Sequence, residues 1–195
     1  MIRQIVLASN NKGKIEEFKS IFAHIGIEII PQAELNVPEI DEPYFTFVEN
    51  ALHKARHCSK ITGLPVLADD SGLCVHALHG QPGVFSARFA GVPRSDAKNN
   101  IKLIQDLQQH TDRSAYYYCI LVMVSRCDDP QPTIADGILH GEIVDNAQGS
   151  GGFGYNPHFY LPEFKMTVAE LDDKIRNQIS HRALAIKNLL DKIVL

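Results

Sequence analysis

Two adjacent carboxylates, Asp69 and Asp70, follow the apolar run LPVLA and precede Ser71-Gly72. Neighbouring anions repel, and a divalent cation beside them relieves that repulsion. Mg²⁺ takes oxygen ligands and keeps several of its waters. A carboxylate beside such a cation can act as a general base. The same four residues also suit a plain turn, and the stretch reads as a buried strand, a turn and a second strand. Adjacent side chains on a strand point to opposite faces, so one of the two aspartates is expected to face a site. Glu39, Asp41 and Glu42 lie in a loop over residues 31–44 that holds three prolines and four acids. They read as solvated acids, any of which could add a ligand.

Three other stretches carry polar chemistry. SNNKGK, residues 9–14, joins an expected strand to an expected helix. Backbone N–H groups and the helix dipole favour an anion there. Lys14 adds a charge, and Ser9 and Asn11 add donors. The stretch is not a Walker A motif, so on its own it reads either as a phosphate site or as a polar turn. SGGFGYNP sets Phe153 and Tyr155 around Gly154. Its rings can stack on a base or plug a core. In ISHRALA, Ser180 reads as a helix cap, and Arg182 beside His181 offers a donor fork for carbonyl or phosphate oxygens. A surface pair is the alternative.

The elements that must position these residues alternate between strands and helices. IRQIVLAS is a strand, and Ile15, Phe18, Phe22 and Ile25 form one helical stripe that ends before Gly26. IEII is a second strand. Thr46-Phe47-Val48-Glu49 reads as a capping box opening a helix to about Ile61. Ser95 caps a helix to about Gln108. AYYYCILVMVS is a central strand, and the alternating TIADGILHGEIV is its hairpin partner. Ile179, Ala183, Ile186, Leu190 and Ile193 predict a terminal helix. The pattern is α/β or α+β.

The 195 residues suffice for one domain with a sizeable core. A net charge of −4 without basic blocks argues against a duplex nucleic-acid partner. No apolar run approaches the ~20 residues a membrane helix needs. The N-terminus does not resemble a signal peptide. The four cysteines include no CxxC pair, and Cys58, Cys74 and Cys119 read as core. A soluble, cytoplasmic protein is the expectation.

The order of the motifs is more specific than any one of them. SNNKGKIEEF, FTFVENALHKAR, ADDSGL, GQPGVFSARF, GGFGYNPHF and ISHR together resemble the inosine-triphosphate pyrophosphatase family from Ile5 to about Leu190. The resemblance implies an α/β fold: a long twisted mixed β-sheet flanked by helices, in two lobes around a central cleft. It implies a single nucleoside triphosphate pyrophosphatase domain over residues 1–195, usually a homodimer. The implied reaction splits ITP, dITP or XTP into monophosphate and pyrophosphate. Mg²⁺ is the implied cofactor, and a water held by it attacks the α-phosphate with Asp70 as general base.

By the same resemblance, Ser9, Asn10, Asn11, Lys12, Gly13 and Lys14 match the triphosphate-binding turn, and Lys54 falls where a lysine can face the phosphates. Glu42 matches a second metal ligand, Asp69 takes a supporting or metal role, and Ser71 matches a substrate contact. Phe153, Gly154, Tyr155 and Asn156 match the base-binding loop, and His181 and Arg182 the residues that recognise the purine carbonyl. Two positions depart from the family pattern. Asn156 stands where an aspartate is usual, and Arg176 where a lysine is usual. An amide keeps an acceptor and adds a donor, which is expected to relax discrimination against a 6-amino purine. A related pyrophosphatase acting on modified pyrimidine triphosphates, and a nucleotide sensor with little turnover, are the rival expectations.

Overall fold

The structure, a computed structural model, describes residues 3–193. Ile2, which opens the expected first strand, and the ends of the 1–195 domain therefore lie outside the described residues. Among the described residues, seven strands form one mixed sheet in the order β2-β1-β3-β4-β5-β6-β7. These are β1 (Gln4–Leu7), β2 (Glu28–Pro31), β3 (Val66–Val75), β4 (Ser114–Val124), β5 (Thr133–Ile143), β6 (Phe159–Leu161) and β7 (Met166–Thr167). β1 pairs in parallel with β2 and β3, whereas β5–β6 and β6–β7 are antiparallel. The expected central strand, β4, is fourth of seven and neighbours β5 as expected. β7 gave no signal in the sequence, because two residues show no periodicity.

The helices are α1 (Lys12–Ala23), α2 (Phe47–Thr62), α3 (Asp96–Leu107), α4 (Asp173–Ile179) and α5 (His181–Leu190). Their starts follow local chemistry. Asn11, Thr46 and Ser95 each accept a hydrogen bond from a backbone N–H in the first turn of α1, α2 and α3. Thr46 also donates to Glu49 at 2.6 Å. α2 ends at Gly63, whose φ of 68° satisfies a left-handed cap that a side chain would strain.

The chain divides into two compact units. One comprises Met1–Asp70, Ile120–Asp136 and Ala185–Leu195, the other Ser71–Cys119 and Gly137–Leu184. In the first, Val6, Leu7, Phe18, Phe22, Ala55, Cys58 and Leu67 are fully buried. In the second, Leu73, Leu103, Tyr117, Tyr155 and Phe159 belong to one apolar core. Strands β3, β4 and β5 each contribute residues to both units. Cys58, Cys74 and Cys119 are buried, as expected of core residues. Among the described residues, no helix is long and apolar enough to cross a membrane.

Two expectations need correction. ADDSGL is no turn: β3 runs unbroken from Val66 to Val75, so Asp69 and Asp70 lie within a strand. Gly72, taken as a turn former, instead lets another segment approach closely. A Cβ there would sit 2.3 Å from Gly83 O and 2.5 Å from Ser86 Oγ. The terminal helix is likewise two helices, broken at Ser180, whose Oγ accepts from Ala183 N. Its buried face is Arg182, Ala185, Ile186 and Leu189 rather than Ala183, Leu190 and Ile193. The break shifts the helical phase, which a single uninterrupted period does not anticipate.

Candidate active site

In the first unit, β1 delivers the chain to Ser9, whose Oγ accepts from Asn11 N. Asn11 then caps α1 through Lys14 N at 3.1 Å. Lys12, Gly13 and Lys14 therefore form the first turn of a helix, whose positive dipole end favours an anion. Asn10 is held from both sides, donating to Glu39 and accepting from Gln32. Lys14 crosses to β3 and places Nζ 2.6 Å from Asp69 Oδ2, with Asp69 1% exposed. Lys54, on α2, places Nζ 2.5 Å from Glu42 Oε1.

Glu42, Asp69 and Asp70 thus share their surroundings with two lysines, and the arrangement keeps one negative charge in surplus. Asp70 is 7% exposed. Burial pushes its carboxyl up to about 6; Lys54 and Lys14 pull it down, while Glu42 and Asp69 push it up. Burial also works against the charge on Lys54. Asp69, Asp70 and Glu42 outweigh that penalty and hold its ammonium above the usual range. A carboxyl poised near neutrality beside two cations suits proton transfer close to a polyanion. Among the described residues, no three His, Cys, Asp or Glu side chains converge as a ready-made metal site.

In the second unit, the glycine-rich loop leads into Asn156. Its glycines serve the loop's own packing. At Gly152, φ is 78° and a Cβ would stand 2.1 Å from Asn156 Nδ2. At Gly151, a Cβ would stand 2.8 Å from both Ala169 O and Arg176 Nη1. α3 pins the loop: Asp96 accepts from Gly154 N at 2.7 Å, and Asn100 donates to Gly154 O at 2.9 Å.

The two rings divide. Phe153 is 62% exposed, whereas Tyr155 is buried with its hydroxyl donating to Ser86 O at 2.7 Å. Of the pair expected to face a base, Tyr155 is therefore the core plug and Phe153 the available ring. Arg176 pairs with Asp173 and reaches Leu171 O at 3.4 Å, which ties it to its own helix start. Arg182 is 5% exposed, and its Nη2 lies 3.5 Å from Ser71 Oγ. His181 stacks on Tyr117, with centroids 4.9 Å apart and planes 14° apart.

A profile of the Ham1 family matches residues 5–192. The chain belongs to the Ham1 family. This Ham1 chain is 58% identical to the dITP/XTP pyrophosphatase of Chromobacterium violaceum over 99% of its own length and 98% of the relative's. It is 54% identical to the dITP/XTP pyrophosphatase of Ralstonia nicotianae, covering 98% and 97%. A solved HAM1 protein from Coxiella burnetii superposes with a TM-score of 0.94 at 45% identity, covering 99% and 100% of the two chains.

The expected residues of the Ham1 chain fall into two groups, one in each unit. Ser9 to Lys14, Glu42, Lys54, Asp69 and Asp70 belong to the first. Ser71, Phe153, Gly154, Tyr155, Asn156, Arg176, His181 and Arg182 belong to the second. The sequence did not signal Tyr117. It donates from its hydroxyl to Asn156 Oδ1 at 3.1 Å and packs on Phe159 at 4.5 Å. Within YYYC nothing marks it apart from Tyr116 or Tyr118. Only the strand register does.

Proposed function

We propose that this protein hydrolyses non-canonical purine nucleoside triphosphates (ITP, dITP and XTP) to the monophosphate and pyrophosphate, clearing them from the nucleotide pool. The observation that carries this reading is the Asp70 carboxyl, buried at 7% exposure and under the charges of Lys54 and Lys14. The names of the curated relatives support the substrate class. A water oxygen attacks the α-phosphorus, the bond to the β-phosphate oxygen breaks, and Asp70 takes the water's proton. Lys14, Lys54 and the N–H groups of the first turn of α1 hold the phosphates.

Mg²⁺ fits the donor set. Glu42, Asp69 and Asp70 are all hard oxygen ligands, and their surplus negative charge is relieved by a cation. When bound, Mg²⁺ would supply neutralisation of the phosphate charge and Lewis-acid polarisation. Asp69, already engaged by Lys14, has the supporting share of this role. The base is read by Phe153, Gly154 and Asn156 with His181, Arg182 and Ser71. Tyr155 and Arg176 brace that loop. We assign the whole chain, residues 1–195, to one pyrophosphatase domain that works as a cytoplasmic homodimer, the default symmetry for such enzymes.

The test is pyrophosphate release from ITP with Mg²⁺, run beside ATP and beside Asp70→Asn. Rapid release from ITP, little from ATP and near silence in the variant support the reading. ITP bound without release replaces the enzyme with a nucleotide sensor.

A further inference from the structure

We infer that Asp96 and Asn100, on α3, are positioning residues for base recognition: they hold the N–H and the C=O of Gly154, and that hold aims the neighbouring Phe153 ring at the base. The inference rests on the functional reading above, in which Phe153 meets the base.

Different partners tie the ends and the middle of the glycine-rich loop. Gly151 N donates to Ala169 O at 2.8 Å, and Ala169 N donates to Asn156 O at 3.3 Å, so Ala169 secures both ends. Between them Gly154 has a φ of 65°, a left-handed conformation that is one of several open to glycine. That freedom must be removed if the residues beside it are to keep one direction. Asp96 and Asn100 stand four residues apart, on one face of α3. The Asp96 carboxylate accepts from Gly154 N at 2.7 Å, and Asn100 Nδ2 donates to Gly154 O at 2.9 Å. The first bond orients the rigid peptide plane shared with Phe153, and the second orients the plane shared with Tyr155. Tyr155 has an anchor of its own, its hydroxyl donating to Ser86 O at 2.7 Å. Phe153, at 62% exposure, takes its direction from the backbone that carries it.

The start of α3 is itself anchored. Asn99, buried beside Asn100, accepts from Ala90 N at 2.8 Å and donates to Ser86 O at 3.3 Å and Ala87 O at 3.2 Å. Ser86 O therefore receives both Asn99 of the helix and Tyr155 of the loop. Ser86 Oγ in turn accepts from Leu73 N on β3. This gives the stretch GQPGVFSARF a part in the site: it is the platform on which helix and loop are set against each other. Loss of the Asp96 or Asn100 bond leaves the ties to Ala169 and Ser86 in place. The loop then stays folded, while the peptide planes around Gly154 and the Phe153 ring lose their single direction.

The experiment measures kcat and KM for ITP separately, by pyrophosphate release, in wild type, Asp96→Ala, Asp96→Asn, Asn100→Leu, Phe153→Ala and the double variant Asp96→Ala/Phe153→Ala. The expected result for Asp96→Ala and Asn100→Leu is a KM raised about tenfold, the range of one hydrogen bond. Binding that is equal in ground and transition states leaves kcat within about twofold. Asp96→Asn should recover most of the loss, because its amide oxygen can still accept from Gly154 N. In the Phe153→Ala background the ring is gone, so adding Asp96→Ala raises KM by less than about twofold more. A KM within twofold of wild type in Asp96→Ala and Asn100→Leu, a loss confined to kcat, or full additivity with Phe153→Ala overturns the inference and leaves the two side chains as packing residues. Asn100→Leu keeps the side chain's shape and carries the test, paired with Phe153→Ala in the same way, if Asp96→Ala does not fold. Failure of wild type to release pyrophosphate from ITP overturns the functional reading itself, and this inference with it.

Discussion

Lys14 Nζ lies 2.6 Å from Asp69 Oδ2, joining the first turn of α1 to the middle of β3. Asp69 is 1% exposed and Lys14 18%, so water screens the pair weakly. Removing one member of a buried pair strands the other charge in low dielectric. Lys14→Met is expected to destabilise the protein by about 1–3 kcal/mol, the cost of leaving a buried acceptor unsatisfied, read as a lower urea midpoint with unchanged slope. Adding Asp69→Asn should cost less than the two single changes summed, because the stranded charge is gone. Strict additivity would show that the pair is not coupled.

Asp70 links stability to pH. Its folded-state value of about 6 lies above the ordinary 3.8. The folded state therefore holds this proton more tightly than the unfolded chain. The stabilisation is complete below pH ~4 and is lost as pH rises through about 6, amounting to at most about 3 kcal/mol. In chelator, the wild type should lose stability across that window while Asp70→Asn stays flat. At pH 7.5 the inactive variant should melt higher. Parallel pH profiles for the two proteins would refute this.

Lys54 draws down the Asp70 carboxyl. Lys54→Met should move the acidic limb of the kcat/KM profile to higher pH, since the remaining carboxylates push Asp70 further up. The comparison is made with saturating Mg²⁺, and an unmoved limb would disconnect the lysine from the base.

Gly72→Ala places a methyl 2.3 Å from Gly83 O, a backbone atom that cannot rotate away. It also intrudes on Ser86, whose hydroxyl accepts from Leu73 N and donates to Gly83 O. Overpacking of this kind costs about 1–3 kcal/mol. Thermal melting should show the loss, whereas alanine at exposed Gly13, whose Cβ meets nothing closer than 3.5 Å, should be far milder.

How much of the molecule was legible in its residues varies with the range of the interaction. The starts of α2 and α3 were legible because Thr46 and Ser95 each act on an N–H three residues away, whereas α1 begins earlier than read, inside NNKGK, where Asn11 caps it through Lys14 N. The Phe18–Phe22 stripe and the buried cysteines were legible from periodicity. The strand through Asp69 and Asp70 was misread because Ser71-Gly72 carries a local turn signal. The real reason for the glycine is the distant Gly83 carbonyl. The C-terminal face was misread because one cap, Ser180, resets the helical phase.

The sequence by itself determined the family, the alternation of strands and helices, and the residue types able to do the chemistry. Those follow from motif order and from interactions within a turn or two of the chain. Only the tertiary structure decided which lysine meets which carboxylate, that Tyr155 turns inward while Phe153 stays exposed, and that Tyr117 is the tyrosine that reaches Asn156. These pairings join residues from 12 to 69 positions apart. Their partners are set by strand register and close packing, which no local pattern encodes.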